Sequence, residues 1–290
     1  MKIATWNVNS LRVRLPHVLD WLSKEQPSLL AIQETKTVDA EFPVAALLEA
    51  GYQSVFSGQK TYNGVALLSN IAVGNVATDL PTLDDPQRRI LAGTYDDVRV
   101  INLYIPNGQE VGSDKYAYKL DWLAKVHAFI ADELTRHPRL VVLGDFNIAP
   151  EDSDVYDPEA WRDKILCSTA ERKAFQGLLA LGLSDAFRLF GQEEASFSWW
   201  DYRAAGFRRN LGLRIDHILV SAALRDECRS CRIDREPRKL ERPSDHAPVI
   251  AEFLPTLLFN PLPTPAAPAS PPNSGWLSGV AAGSPGLLCK

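Results

Sequence analysis

Residues 140–147 read Leu-Val-Val-Leu-Gly-Asp-Phe-Asn, an apolar run that ends in a glycine and then in polar side chains. Four aliphatic residues in succession, followed by a turn former, are typical of a short buried strand. A strand that surfaces here places the carboxylate of Asp145 and the amide of Asn147 at the edge of a sheet. This pattern recurs along the chain, and it determines both the predicted fold and the predicted site.

Strands and helices are predicted along most of the chain from the spacing of its apolar residues. Strands are predicted at residues 2–9, 28–32, 64–69, 98–104, 140–143, 215–220 and 248–253. Helices are predicted at residues 16–24, 115–136 and 169–181. Strands and helices do not alternate strictly, and residues 52–58 and 64–69 follow one another through a short turn. We therefore predict an α/β (α+β) sandwich of two mixed sheets packed face to face, with helices outside.

Composition limits the classes of function. The chain of 290 residues is 46% hydrophobic and 23% charged, which is ordinary for a globular protein. Its net charge of −5 disfavours a protein that holds nucleic acid by charge alone, and fits carboxylates gathered around a cation. A membrane span and a signal peptide are not indicated, so we expect a cytoplasmic protein. Cys228 and Cys231 form an isolated CxxC pair, which we interpret as two ordinary thiols.

The chain divides by composition into two parts. Residues 1–255 contain the apolar strands and are predicted to form one catalytic domain. Residues 256–290 are rich in proline and alanine and carry almost no charge. Such a segment cannot bury enough apolar surface to offset the entropy of ordering it. We expect a disordered tail there and assign it no function.

Polar side chains follow the predicted strands at the points where the strands end. They are Asn7, Asn9, Glu34, Tyr104, Asn107, Asp145, Asn147, Asp216, Asp245 and His246. Each of these alone could be a simple turn former. Together they supply hard oxygen ligands and an imidazole, a set that suits Mg²⁺ or Mn²⁺. The sequence therefore predicts a metal site where loops at one rim of the sandwich converge.

Seven short motifs resemble, in order, those of the exonuclease III family of abasic-site endonucleases, in its bacterial form. They are Trp-Asn-Val-Asn-Ser at 6–10, Gln-Glu-Thr-Lys at 33–36, Gly-Asp-Phe-Asn at 144–147, Ser-Asp-His-Ala-Pro at 244–248, and residues 64–69, 104–108 and 212–216. Each motif is weak alone, whereas seven in order are specific, and they span residues 1–254. The resemblance implies a four-layer αββα sandwich with the site at one edge of the paired sheets.

The resemblance also implies a metal-dependent DNA repair enzyme that cleaves 5′ of abasic sites and has 3′-to-5′ exonuclease and 3′-phosphatase activities. The catalytic residues would then be Tyr104, Asp145, Asn147, Asp216 and His246. The metal ligands would come from Asn7, Glu34, Asp145, Asn147, Asp245 and His246, with Asp245 serving a second metal position. Asp145 would activate the attacking water, and Asp216 would fix the tautomer of the His246 imidazole.

Substrate recognition is implied for a further set of residues on double-stranded DNA. They are Asn9, Lys36, Asn107, Trp199, Arg203, Leu213 and Ile215, with Arg89, Arg208 and Arg209 as candidate phosphate contacts. Trp199, Leu213 and Ile215 would line a small apolar pocket that admits a flipped-out deoxyribose without a base. Phe197 and Trp200 are assigned to the core by alternation. Gln109-Glu110 departs from relatives that present an arginine there, which puts the balance of activities in doubt.

Three other functions are compatible with parts of the pattern. One is a 3′-end-processing exonuclease and phosphatase with weak activity at abasic sites. Another is a non-specific nuclease or small-phosphoester hydrolase of the same superfamily, which would not need the pocket. The third is a non-catalytic DNA-binding scaffold, which would predict loss of Glu34, Asp145 or His246, and all three are present. We expect a monomer.

Overall fold

Two six-stranded sheets form the centre of the fold. The computed structural model describes residues 1–254, so the predicted tail lies outside the described residues. The strands are β1 (Lys2–Asn7), β2 (Leu29–Gln33), β3 (Gln53–Ser57), β4 (Val65–Ser69), β5 (Gly74–Ala77), β6 (Ile90–Tyr95), β7 (Val98–Tyr104), β8 (Leu140–Asp145), β9 (Leu183–Asp185), β10 (Trp199–Trp200), β11 (Gly212–Leu213), β12 (Asp216–Ser221), β13 (Cys228–Ile233) and β14 (Val249–Phe253). The helices are α1 (Leu11–Glu25), α2 (Val44–Glu49), α3 (Asp114–Arg136), α4 (Pro158–Trp161), α5 (Thr169–Ala180) and α6 (Ala222–Arg225).

Both large sheets are mixed, as predicted. The first has the strand order β13-β14-β1-β2-β4-β3, and the second has the order β5-β6-β7-β8-β12-β9. One parallel pair lies at the centre of each sheet, β1 with β2 and β7 with β8, and the other pairs are antiparallel. Strands β10 and β11 form a small separate ribbon.

The sheets pack face to face and the helices cover their outer faces. Apolar residues of both sheets, such as Leu67, Leu143 and Ile218, form one core between the sheets. On the outer face of the first sheet, the core includes Leu22 of α1. On the outer face of the second sheet, it includes Val126 of α3. The four-layer αββα sandwich is therefore confirmed.

Two helices differ from the sequence predictions. Helix α1 begins at Leu11 rather than at Pro16, and the proline lies inside it. Pro16 has no backbone N–H, so the helix lacks one hydrogen bond at this position. The helix tolerates this loss because one of its faces, including Leu11 and Leu22, is buried. In α3 the buried face includes Lys119 and Glu133, which the apolar stripe did not predict.

Several smaller predictions are confirmed by the burial of side chains. Phe197 and Trp200 lie in the core. Cys228 and Cys231 are buried free thiols, and burial raises the pKa of Cys228 to about 11.

Among residues 1–254, no helix combines the length and the apolar character that crossing a bilayer requires.

Gly144 lies opposite Leu103 in the β7–β8 pair, directly before the site. Its φ is +142°, and a Cβ atom added there would lie 1.9 Å from the carbonyl oxygen of Leu103. No side chain fits at that distance without separating the two strands. The glycine thus allows Asp145, the next residue, to lie beside the end of β7.

We predict that Gly144→Ala lowers the free energy of unfolding by about 3 kcal/mol, because the strand pair must shift to admit a methyl group. Gly112→Ala is the matched control, since Gly112 also has a positive φ of +86° but has no atom within 4 Å of the added Cβ. That control should lose only about 1 kcal/mol. Urea unfolding measures both values, and equal losses would show that the contact with Leu103 is unimportant.

Candidate active site

Strand direction brings the predicted site residues to one edge of the sandwich. The parallel strands β1, β2, β7 and β8 all end at this edge, while the antiparallel β12 starts there. Across β7, β8 and β12, Tyr104 is paired with Asp145, and Asp145 is paired with Asp216. Paired residues on neighbouring strands direct their side chains to the same face. Three chemically active side chains are therefore adjacent because of register alone.

Asn7 links the two sheets at this edge. Its side-chain Nδ2 donates to Oε1 of Glu34 at 2.9 Å and to Oδ2 of Asp145 at 2.9 Å. Its Oδ1 accepts from the backbone N–H of Asn9 at 2.9 Å. Asn7 is fully buried, so its amide compensates two carboxylates in a region with little water.

His246 is held by Asp216 and faces Asp145. Its Nδ1 lies 2.9 Å from Oδ2 of Asp216, and its Nε2 lies 3.7 Å from Oδ2 of Asp145. Asp216 also accepts from the Ser198 hydroxyl at 2.7 Å. Burial opposes a charge on His246, but Asp216 and Asp145 outweigh burial and raise its pKa to about 10. The imidazole is therefore a cation near neutral pH and can pair with a phosphate oxygen.

Asp145 has the environment of a proton acceptor. Burial raises its pKa to about 7, with His246 and Asn7 opposing this rise and Asp216 adding to it. Its Oδ1 accepts from the backbone N–H of Asn147 at 2.9 Å. A carboxylate that titrates near the working pH is suited to general-base catalysis.

A buried lysine holds the backbone of both Asn147 and Asn107. Lys119 donates to the backbone oxygen of Asn147 at 2.7 Å and to that of Asn107 at 3.1 Å, and it pairs with Glu171. The Lys119 and Glu171 side chains are both 0% exposed. The Asn107 amide then donates to Oδ1 of Asn147 at 3.2 Å. The two asparagines are thus held together behind Asp145.

Tyr104 remains a neutral phenol. Burial, together with the neighbouring Glu34 and Asp145, raises its pKa well above the ordinary value of a tyrosine. The Arg89 guanidinium lies over the ring, 4.7 Å from its centroid. The hydroxyl therefore keeps its proton and can donate it to a phosphate oxygen.

Glu34, Asp145 and His246 are the predicted ligands that the structure groups into one possible metal site. One ligand atom of each lies within 4.8 Å of the others. The two carboxylates fit a hard divalent cation, and the imidazole can join them as a ligand only in its neutral form. The oxygen atoms of Asn7 and Asn147 instead accept hydrogen bonds from Asn9 and Asn107.

Asp245 is not part of that group. Its Oδ1 accepts from Asn9 Nδ2 at 2.9 Å, and its Oδ2 accepts from the Trp199 indole at 3.0 Å. Both oxygens of Asp245, the residue predicted to serve a second metal position, therefore accept hydrogen bonds from neighbouring side chains. Its role as a ligand remains a prediction.

Several site residues have the left-handed backbone conformation, which is uncommon for residues other than glycine. The φ angles are 44° at Asn9, 52° at Glu34, 52° at Lys36 and 50° at Asn147. Such conformations cost energy and persist where the surrounding structure imposes them. Here they turn each side chain from the end of its strand towards the common edge.

The three residues of the predicted sugar pocket are brought together. Trp199 is paired with Leu213 across the β10–β11 ribbon, and both belong to an apolar cluster that also contains Ile215. Leu213 and Ile215 are buried, whereas Trp199 is partly exposed. Trp199 also forms a backbone β-bridge with His246, which places this cluster next to that histidine.

The predicted DNA-contacting arginines are spread around the site. Arg203 is 88% exposed and pairs with Asp201 at 2.5 Å. Arg208 and Arg209 are exposed on the same loop. Beside Asn107 lies a cavity of about 620 Å³, which is large enough for part of a nucleic-acid strand. It is lined by Gln59, Tyr62, Asn63, Gln87, Arg89, Pro106, Asn107, Gly108, Gln109, Lys115 and Tyr118.

Comparisons with known proteins identify the family of this chain. The model of the Endonuclease/Exonuclease/phosphatase family matches residues 4–246. The chain belongs to this family. It is 37% identical over 267 residues to exodeoxyribonuclease III of Haemophilus influenzae, covering 87% of this chain and 100% of that protein.

Solved structures of family members are also similar. One is a 3′ phosphatase from Neisseria bound to a product DNA hairpin, with 55% identity and a TM-score of 0.86, covering 87% of this chain and 99% of that chain. Another is an AP endonuclease from Archaeoglobus fulgidus, with 37% identity and a TM-score of 0.84, covering 88% of this chain and 100% of that chain.

Three supporting side chains of this family member were missed by the sequence analysis. Ser198 anchors Asp216, and Ser244 donates to the Asn7 carbonyl at 2.6 Å while accepting from the His246 N–H. Lys119 anchors the two asparagines. The available signal was a polar residue inside an apolar pattern, as at Ser198 between Phe197 and Trp199, but its partner lies on another strand.

We predict that Lys119→Met lowers the free energy of unfolding by about 3–5 kcal/mol, because the Glu171 carboxylate is left buried without its cation. The double variant Lys119→Met/Glu171→Gln should lose less than the single variant, since it leaves no unpaired charge. Urea unfolding of the two variants and the wild type tests this. A double variant that is no more stable than the single one would show that charge burial is not the cause.

We predict opposite protonation of two buried histidines in the metal-free protein. His246 should remain doubly protonated from pH 6 to 8, whereas burial and Arg214 lower the pKa of His217 to about 4 and keep it neutral. For His246 the folded-state pKa exceeds the unfolded value of about 6.5, so its contribution to stability is complete below about pH 6.5, declines above that pH and is lost once the pH passes about 10.

Nitrogen chemical shifts of the two imidazoles measure these states directly. Asp216→Asn should lower the pKa of His246, because it removes the closest negative charge from Nδ1. A midpoint near 6.5 for His246 in the wild type would contradict the assignment.

Proposed function

We propose that this chain is a divalent-metal-dependent phosphoesterase that acts on damaged double-stranded DNA. It cleaves the strand 5′ of abasic sites and removes nucleotides and phosphate groups from 3′ ends. The observation that carries this proposal is the grouping of Glu34, Asp145 and the Asp216-bound His246 at one edge of the two sheets. The names of relatives that process 3′ ends and abasic sites support it.

Mg²⁺, or Mn²⁺ in its place, is the ion that this donor set favours. Glu34 would hold it, with Asn7 keeping that carboxylate in position, and Asp145 would lie beside the ion as the base. When bound, such an ion supplies positive charge that offsets the negative charge of the phosphate oxygens.

Hydrolysis requires a base that takes a proton from water as the water attacks phosphorus. Asp145 fits this role because its raised pKa favours proton acceptance near neutral pH. The N–H of Asn147 fixes its Oδ1, and Asn7 fixes its Oδ2. The carboxylate is therefore oriented before substrate arrives, which lowers the entropy cost of the reaction.

Charge that develops on the phosphate requires donors at fixed positions. The His246 Nε2–H faces the site, and Asp216 holds the ring in place from the opposite side. The neutral Tyr104 hydroxyl is a second donor, able to bond to a phosphate oxygen or to the departing oxygen. Preorganised donors of this kind commonly contribute the largest part of catalysis.

Selection of damaged DNA is assigned to the Trp199, Leu213 and Ile215 cluster, which borders His246. A deoxyribose without a base is smaller than a whole nucleotide and costs little to flip out of the duplex, so a small apolar site would admit it and exclude an intact nucleotide. Lys36, Asn9, Asn107 and Arg203 would contact the DNA strand. The expected cytoplasmic location and monomeric state remain predictions.

A second candidate function is favoured by two specific observations. The Neisseria protein that is 55% identical is named as a 3′ phosphatase. In addition, Asp201 pairs with Arg203, one of the residues proposed to contact the DNA. Both support a 3′-end-processing enzyme with weak activity at abasic sites.

The two functions are separated by a cleavage assay on matched duplexes. One duplex carries a single tetrahydrofuran abasic analogue, and the other carries a nick with a 3′-phosphate. We predict that Mg²⁺ supports activity, that EDTA abolishes it, and that Asp145→Ala lowers the rate by about 10³-fold because the base is lost. Asp226→Ala, which removes an 81% exposed carboxylate far along the chain, is the control.

A cut immediately 5′ of the analogue establishes the abasic-site function. Release of phosphate without that cut establishes the 3′-end-processing function. Binding of DNA with neither reaction would contradict both and would favour a scaffold.

A further inference from the structure

Lys36 forms an ion pair with the glutamate that is proposed to hold the metal, Glu34. Its Nζ lies 2.9 Å from Oε2 of Glu34, while Oε1 of the same carboxylate is bonded to Asn7. The Glu34 carboxylate is therefore already compensated on both oxygens. Burial opposes its charge, but Lys36 and Asn7 outweigh burial and lower its pKa below the ordinary value.

A chain of hydrogen bonds keeps Lys36 in this place. Its Nζ also donates to Oδ1 of Asn9 at 2.7 Å. The Nδ2 of Asn9 donates to Asp245, whose other oxygen accepts from the Trp199 indole. Because Asn9 must give its Nδ2 to the Asp245 carboxylate, its Oδ1 is left to face the lysine. The amide orientation is thus set by Asp245.

The position of Lys36 conflicts with a divalent ion at Glu34. Like charges repel, and a dication bound at this carboxylate lies beside the ammonium group. The Lys36 side chain is 28% exposed and has four rotatable carbons, so it can move into solvent. Glu34 is held from its other side by Asn7 and does not need the lysine to keep its position.

We propose that Lys36 is a built-in counter-ion of Glu34, which competes with the divalent ion and is displaced towards the DNA backbone when that ion binds. This inference rests on the proposed metal-dependent function. It gives Lys36 two effects of opposite sign. The lysine weakens binding of the metal in the absence of DNA, and it strengthens binding of DNA once the metal is in place.

The first test measures Mn²⁺ binding without DNA, by electron paramagnetic resonance of the free ion. Lys36→Gln should bind Mn²⁺ about three- to tenfold more tightly than the wild type, the range expected when a partly exposed ion pair no longer competes. Lys36→Arg keeps the positive charge and should bind like the wild type. Asn9→Ala removes one of the two anchors of Lys36 and should give a smaller increase in affinity.

Lys24→Gln is the matched control, because it also removes one lysine charge, but near the C-terminal end of α1 and away from the site. Lys24 lies about 20 Å along the helix axis from Leu11, where α1 begins beside the site, so Mn²⁺ affinity should not change. Thermal unfolding of each variant checks that the fold is retained.

The second test measures the KM for a DNA substrate. At saturating Mg²⁺, Lys36→Gln should raise the KM for a nicked duplex with a 3′-phosphate several-fold while Lys24→Gln leaves it unchanged. The proposal would be overturned if Lys36→Gln bound Mn²⁺ no more tightly than the wild type. It would also be overturned if neither protein bound Mn²⁺. Mn²⁺ binding that behaves as predicted in an enzyme that cleaves no DNA would instead contradict the proposed function alone.

Discussion

The structure depends on the compensation of negative charge at one edge of two packed sheets. Glu34, Asp145 and Asp216 meet there, and the last two are almost completely buried. Buried carboxylates are stable only when charges or hydrogen-bond donors satisfy them. Asn7 and His246 provide this compensation from the first sheet and the loop before β14, so the two sheets are joined at the candidate active site.

The same charges prepare the site for a phosphate ester. Asp216 keeps His246 protonated, while burial, with the neighbouring carboxylates adding to its effect, raises the pKa values of Asp145 and Tyr104. One arrangement therefore supplies an acceptor, a cation and a neutral proton donor within a small volume. Anchors outside the site, such as Lys119 and the two serines, keep the loops in the conformations that this arrangement needs.

The sequence predicted the layers of the fold well, because short apolar strands that end in polar residues leave few ways to pack. It also named the residues that the structure brings to the edge. It predicted the detailed partners less well. The hydrogen bonds of Asp245 with Asn9 and Trp199 were not predicted, and Lys119 was overlooked although it is fully buried. Hydrogen bonds between residues distant in sequence have no local signature.

The sequence by itself determined which chemical groups are available and that they lie at strand ends, since apolar periodicity and turn formers are local properties. Only the tertiary structure decided how those groups pair, because strand direction and register place Asp145 between Tyr104 and Asp216 and bring Asn7 across from the other sheet. The pKa values and the competition of Lys36 for Glu34 follow from burial and distance. Both are properties of the packed chain and not of any segment of it.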